Sequence, residues 1–287
     1  MLKSRSAILL IHCDDRQGLV AAVTEFIHKN RGNIVHLDEH VDSAADAFFM
    51  RVEWILKDFL IPPEKIGEYF QTLIANLFGM KWQLHFSDDV PRMAVFVSKL
   101  PHCLYDILSR CDSGEWQVEV PLILSNHPDL EEVARKFGKA FHVFPIDAGN
   151  KAEQEGRMLA LMREQKVEFA VLARYMQTLT GDFVSRFPSR IINIHHSFLP
   201  AFPGARPYHS AYERGVKIIG ATSHYVTEEL DAGPIIEQGI AHVTHHDGVE
   251  DLMRKGRDLE KIVLSRAVWT HLKRKVVVHG NRTVVFS

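Results

Sequence analysis

Ile191-Ile192-Asn193-Ile194-His195-His196-Ser197-Phe198-Leu199-Pro200-Ala201-Phe202-Pro203 is the stretch whose reading decides the fold. It begins as an apolar, β-branched run, the pattern of a buried strand, and Pro200 and Pro203 keep its continuation from becoming a helix. Asn193 and His195 stand two apart, so a strand presents both on one face and turns His196 the other way. An amide able to donate hydrogen bonds thus stands beside an imidazole able to move protons.

Similar runs precede this one. Residues 92–97, 118–124, 141–144 and 169–173 read as strands. Between them lie helical patterns, marked by Leu104, Ile107 and Leu108, by Leu130, Val133, Ala134 and Phe137, and by residues 151–165. Strands alternating with helices predict an α/β domain with a Rossmann-like, doubly wound, mainly parallel sheet. Such sheets bind ligands in the crevice at the carboxyl ends of their strands. Loops at residues 174–179, 195–203 and 227–233 are expected to leave strands at that end. Residues 218–226 and 234–243 add two strands, and Asp247-Gly248 starts a long helix with Val249, Leu252, Met253, Leu259, Ile262 and Val263 as its stripe. His279-Gly280-Asn281-Arg282 turns a terminal hairpin.

Upstream of Ser87-Asp88-Asp89-Val90-Pro91, a polar break ending in proline, the pattern changes. Residues 7–11 read as a strand and Leu19, Val20, Val23, Phe26 and Ile27 as a helix stopped at Gly32. Residues 34–41 and 47–55 follow as strands, Pro62-Pro63-Glu64 opens a second helix to about Gly79, and residues 81–86 close the set. The order βαββαβ predicts a ferredoxin-like sheet with two helices on one face. The expected division is residues 1–86, a linker at 87–91, and residues 92–287.

Composition narrows the class. A chain of 287 residues, 46% hydrophobic, holds one large or two moderate cores. No apolar run reaches the roughly 18 residues of a membrane span, and Met1-Leu2-Lys3-Ser4-Arg5 leads into a strand without a signal-peptide pattern. A formal net charge of -2 argues against nucleic acid as a partner. Cys13, Cys103 and Cys111 form no Cys-x-x-Cys pair, the usage of a reduced, cytoplasmic chain.

Acyl transfer needs donors aimed at the oxygen that becomes negative, and Asn193 and a protonated His195 supply them. It also needs a group that takes a proton from the nucleophile and returns one to the leaving nitrogen. Asp231, in Leu230-Asp231-Ala232-Gly233-Pro234, suits this if burial raises its pKa. No serine or cysteine stands in a Gly-x-Ser-x-Gly elbow, so direct attack by water or an amine is favoured. Each residue also has a plain structural role open to it: strand amide, packed imidazole, turn aspartate. With 17 histidines a zinc site is a further alternative, drawing on His195, His196, His242, His245 and His246.

The second part resembles the formyltransferase family that uses 10-formyltetrahydrofolate. The carrying residues are Asn193-Ile194-His195-His196-Ser197-Phe198-Leu199-Pro200, Gly220-Ala221-Thr222 and Leu230-Asp231-Ala232-Gly233-Pro234-Ile235-Ile236. The resemblance implies Asn193, His195 and Asp231 as the catalytic set. It also implies a folate pocket from Arg174, Tyr175, Met176, Gln177 and Leu179 with Thr227, Glu228 and Leu230, no metal, and folate as substrate rather than cofactor. The family often has proline where His196 stands, and the roles of His196 and His224 stay open.

The front part resembles an ACT domain, carried by Asp14-Asp15-Arg16-Gln17-Gly18-Leu19-Val20 and Gly32-Asn33-Ile34. That likeness implies a regulatory amino-acid site at Asp15, Gly18 and Asn33 and assembly as a homo-oligomer. An ACT-like module on a formyltransferase-like domain, with the matching stretch Gly204-Ala205-Arg206-Pro207-Tyr208-His209-Ser210 and onward to Lys217, resembles the family's hydrolytic members. These release tetrahydrofolate and formate, supplying formate for purine synthesis and balancing the one-carbon pool. The family's purine-pathway transferases cradle a sugar phosphate on a Gly- and Ser-rich loop after the first strand. Here Ser98-Lys99-Leu100-Pro101-His102-Cys103-Leu104 has no glycine, and Pro101 lacks an N–H. Water is therefore the expected acceptor. Transfer to an amine and a non-catalytic amino-acid sensor are the alternatives.

Overall fold

The apolar run at residues 7–11 becomes the centre of β1 (Ser6–Asp14). The computed structural model describes residues 4–200 and 207–287. The expectations for residues 1–3, for the end of the loop running to Pro203, and for Gly204, Ala205 and Arg206 lie outside the described residues. No helix is long and apolar enough to cross a membrane among the described residues.

Contacts divide the chain into two units. The first comprises the described residues up to Asp89 with Lys273–His279 and Val284–Ser287. After β1 come α1 (Leu19–Lys29), β2 (Asn33–Asp42), β3 (Ala47–Ile55), α2 (Pro63–Phe70), a π-helical turn at Gln71–Ala75, α3 (Asn76–Phe78) and β4 (Lys81–Phe86). The sheet is antiparallel with order β2-β3-β1-β4, as the βαββαβ reading requires. Leu19, Val23, Phe26 and Ile27 recur at helical spacing and bury against Leu9, Ile11, Met50, Val52 and Trp54.

The opposite face of this sheet corrects the expected division. Leu10, Ala47 and Phe49 are covered by Val277 and Phe286, and buried Arg51 donates to the backbone carbonyls of Arg274 and Lys273. Most of the C-terminal stretch therefore belongs to the front unit, not to the domain expected at 92–287. The physical reason is that a sheet apolar on both faces cannot leave one face wet. It also explains why residues 7–11 are continuously apolar instead of alternating.

The second unit comprises Val90–Leu272 and Gly280–Thr283. It runs β5 (Arg92–Val97), α4 (His102–Asp112), β6 (Glu119–Ser125), α5 (Glu131–Lys136), β7 (Phe141–Val143), α6 (Lys151–Glu164), β8 (Phe169–Leu172), α7 (Gly181–Ser185), β9 (Ile191–His195), α8 (Pro207–Arg214), β10 (Ile218–Tyr225), β11 (Ile235–His242) and α9 (Val249–Leu272). The terminal hairpin pairs β12 (Val276–His279) with β13 (Arg282–Val285). The seven-stranded sheet has order β11-β10-β9-β8-β5-β6-β7. Pairs among β5 to β9 are parallel, as expected, while β10 runs antiparallel to both β9 and β11. The loop at 227–233 therefore leaves at the opposite end of the sheet from the other two: Tyr225 pairs with Ile192, and Val226 N–H donates to Ile191 O.

Candidate active site

Period-two geometry places Asn193 and His195 on one face of β9, and the antiparallel register sets His224 opposite Asn193 and Thr222 opposite His195. Although its loop starts at the far end, Asp231 folds back over that face. Its Oδ2 lies 3.1 Å from His195 Nδ1 and its Oδ1 lies 3.6 Å from His224 Nε2. Two features hold the loop in this path. Asp231 adopts a left-handed conformation, φ 54°, which aspartate tolerates better than most side chains. Gly233 packs so tightly that an added Cβ would stand 1.8 Å from Tyr225 O.

The electrostatics correct one expectation. Burial pushes the Asp231 carboxyl up, but hydrogen bonds from His195 and His224 dominate and hold it well below the usual carboxylate range. Asp231 is thus a stable carboxylate rather than a base of raised pKa. His224 Nδ1 lies 2.9 Å from Tyr225 O, and its Nε2 lies 3.2 Å from Asn193 Nδ2 and 3.6 Å from Asp231 Oδ1. One Asn193 N–H remains for a ligand. Buried His195 Nε2 has no hydrogen-bond partner among the described residues.

These groups open into a pocket of about 280 Å³. Arg174, Tyr175, Met176, Gln177 and Leu179 line it, as do Thr227, Leu230, Asp231, Asn193 and His195. Glu228 does not line it: its carboxyl group lies toward Gly181, and Glu229 takes the place on the wall. The segment after β8 is pinned at both ends. Met176 N–H donates to Ser98 Oγ at 2.9 Å, and buried Glu155 accepts from the Thr180 N–H and hydroxyl. Tyr175 is buried, its hydroxyl without a hydrogen-bond partner among the described residues, whereas Met176 and Leu230 are 57% and 66% exposed at the mouth.

A second polar cluster adjoins this wall. Glu260 Oε2 meets His102 Nε2 at 2.8 Å and Arg174 Nε at 3.5 Å, and Oε1 accepts from Tyr208 at 2.8 Å. His102, Cys103 and Glu260 bring ligand-type atoms within 4.8 Å of one another. Their chemistry is a poor fit for a cation. Burial and the neighbouring Glu260 charge push the Cys103 thiol up, and both Glu260 oxygens are already engaged. In the zinc alternative, His195 is engaged with Asp231, while His242, His245 and His246 are exposed. His196 lies on the pocket wall, its pKa lowered to about 4 by burial, the Arg174 guanidinium and His195.

His224 and Glu260 carry no sequence motif of their own, whereas Tyr208 stands in the matching stretch that runs to Lys217. His224 stands two residues after Thr222 and so shares its strand face, a placement that bears on the site only once the direction of β10 is known. In the front unit Gly18 caps α1 with φ 91° and no side-chain cap bond, Asp15 N–H donates to Asp46 O, and exposed Asn33 opens β2. These three share no hydrogen bond with one another.

A topologically switched α/β sheet with a carboxylate, an imidazole and an amide at one pocket defines a formyltransferase-type domain, and the family model described as formyl transferase matches residues 91–268. The likeness extends beyond that domain. A formyltetrahydrofolate deformylase of Synechocystis sp. is 54% identical over 287 residues, 100% of each chain. The crystal structure of a formyltetrahydrofolate deformylase from Pseudomonas syringae pv. tomato superposes with a TM-score of 0.97 at 40% identity, covering 100% of this chain and 96% of that one. A glycinamide ribonucleotide transformylase from Symbiobacterium toebii matches 71% of this chain and 98% of its own, with a TM-score of 0.65 and 32% identity. The chain belongs to the formyltetrahydrofolate deformylase family.

Proposed function

We propose that the protein hydrolyses 10-formyltetrahydrofolate to tetrahydrofolate and formate at the pocket beside His195. The observation that carries this reading is His195 itself: Nδ1 rests on an ionised carboxylate while Nε2 is buried and has no hydrogen-bond partner among the described residues. A ring so held is fixed in orientation and aims Nε2 at one point in the pocket. The pterin end enters between Arg174–Leu179 and Thr227–Asp231, leaving the formyl carbon beside Nε2. Water forms the new C–O bond. The developing oxyanion takes hydrogen bonds from His195 Nε2 and the free Asn193 N–H.

Asp231 takes the water proton. Its depressed pKa makes it a weak base, but a water proton becomes strongly acidic once oxygen bonds to carbon, so a weak base suffices. The same low pKa makes protonated Asp231 a strong acid, suited to returning the proton to N10 as the C–N bond breaks. Water is favoured over an amine because His102 at the start of α4 replaces a glycine-rich phosphate loop.

The test is incubation with 10-formyltetrahydrofolate alone, expecting formate and tetrahydrofolate in equal amounts. Tetrahydrofolate appearing only with an added amine would sink the hydrolytic reading in favour of a transferase. We further propose a cytoplasmic homo-oligomer whose front unit takes an amino-acid effector at Asp15, Gly18 and Asn33, supported by the uncapped N-terminus of α1. Formate release unchanged across a panel of amino acids would count against that effector.

A further inference from the structure

The crevice that this fold reserves for a ligand is already filled. In the second unit the strand order reverses between β5 and β8. In open α/β sheets the gap outside the carboxyl ends of two such strands is where a ligand sits. Here a carboxylate of the chain lies there instead. Glu260, from α9, is 1% exposed. It bonds His102, the first residue of α4 after β5, and pairs with Arg174, two residues beyond β8. Its other oxygen accepts from Tyr208 of α8. Four separate elements thus meet on one side chain.

The place of Tyr208 is built into the sequence. Gly256 stands one turn before Glu260 on the same helix face, and a Cβ there would lie 2.1 Å from Tyr208 Oη. Burial pushes the Glu260 carboxyl up, but His102, Arg174 and Tyr208 together hold it low and charged. Apolar side chains of equal volume would join these elements at least as firmly, since buried ion networks are expensive to desolvate. The charge therefore points to a role at the adjoining site. His196 connects the two: its ring lies 6.2 Å from that of Tyr208 and 5.1 Å from that of His195.

We propose that Glu260, His102 and Tyr208 determine acceptor specificity, occupying the side from which an amine would approach the formyl carbon and leaving room for water. This rests on the hydrolytic reading above. With water, a C–O bond forms, the C–N10 bond breaks, and formate and tetrahydrofolate result. With the crevice opened, an amine nitrogen bonds the formyl carbon, N10 leaves carrying a proton released by that amine, and the products are an N-formyl amide and tetrahydrofolate.

The test compares wild type with the His102→Ala, Tyr208→Ala double variant, which keeps the Glu260–Arg174 pair and so leaves no buried charge alone. Each is given 10-formyltetrahydrofolate with and without glycinamide, and N-formylglycinamide and formate are measured by mass spectrometry. Wild type should give formate with amide at the uncatalysed background, and the double variant should raise the amide-to-formate ratio roughly tenfold or more. A folded double variant that still yields formate alone at high glycinamide overturns the proposal. So does a wild-type enzyme that formylates glycinamide as fast as it releases formate, a result that needs no variant to fold. Absence of formate from wild type without amine overturns the hydrolytic reading instead.

Discussion

Replacing Asp231 by asparagine tests the site at its most connected atom pair. Asparagine keeps the volume and tolerates the left-handed backbone at φ 54°, so the loop should hold its path. What is lost is a charge 3.1 Å from His195 Nδ1. At an effective dielectric of about 20, a full carboxylate–imidazolium pair at that spacing is worth about 5 kcal/mol. The side chain is 26% exposed, and screening should reduce this to about 3 kcal/mol, roughly a hundredfold in rate. Loss of the proposed proton acceptor adds a further factor of about 10²–10⁴. The two act on one step and do not add fully, so kcat for formate release should fall about 10³–10⁴-fold. KM should change little, because the pocket wall from Arg174 to Leu179, proposed to hold the folate, is untouched. The assay is formate release without amine, alongside circular dichroism and thermal denaturation. A folded Asp231→Asn enzyme within about tenfold of wild-type kcat would refute the role given to the charge.

Three further outcomes are expected. Gly233→Ala should destabilise by on the order of 3 kcal/mol, read as a drop of roughly 8 °C in Tm, because the new Cβ would meet the unyielding Tyr225 carbonyl at 1.8 Å; a Tm within experimental error of wild type would contradict the close approach. His196, lowered to about 4, stays neutral in the fold while the unfolded ring protonates near 6.5, so stability present above that pH is lost progressively as pH falls toward 4. His196→Gln should flatten that decline in denaturant titrations, and an unchanged slope would count against it. Asp231, held below the usual carboxylate range, should place no acid limb on the kcat profile above about pH 4; a limb between 5 and 6 that vanishes in Asp231→Asn would assign it a raised value instead.

The layer architecture of both units is legible in the sequence, because alternation of strand and helix patterns follows from period alone. The placement of the C-terminal stretch is not. Arg51 bonds a carbonyl 223 residues away, and nothing local to Val277 or Phe286 names the face they cover. The continuous burial of β1 is the one local sign that both faces of the front sheet need a cover. The direction of β10 is hidden for a different reason. A strand buried on both faces shows the same apolar run whether it pairs parallel or antiparallel. The connection from β9 to β10, which carries α8, is long enough for a parallel crossover, so chain length does not discriminate either.

That hidden direction decides the chemistry of the site. Asn193 and His195 were legible as a pair because period two puts them on one face, and Asp231 because its loop carries a motif. Its protonation behaviour was not legible. A loop bounded by glycine and proline suggests desolvation and hence a raised pKa, but antiparallel β10 sets His224 opposite Asn193, where one imidazole touches both the amide and the carboxylate. With two imidazoles on one carboxyl group, hydrogen bonding outweighs burial and the shift changes sign. Asp231 is then unable to deprotonate free water to any useful extent. On the hydrolytic mechanism proposed above, proton transfer would follow or accompany C–O bond formation, when the attacking oxygen has become acidic. On the proposed mechanism the demand falls on Asn193 and His195, since the oxyanion they would stabilise is what makes that proton available.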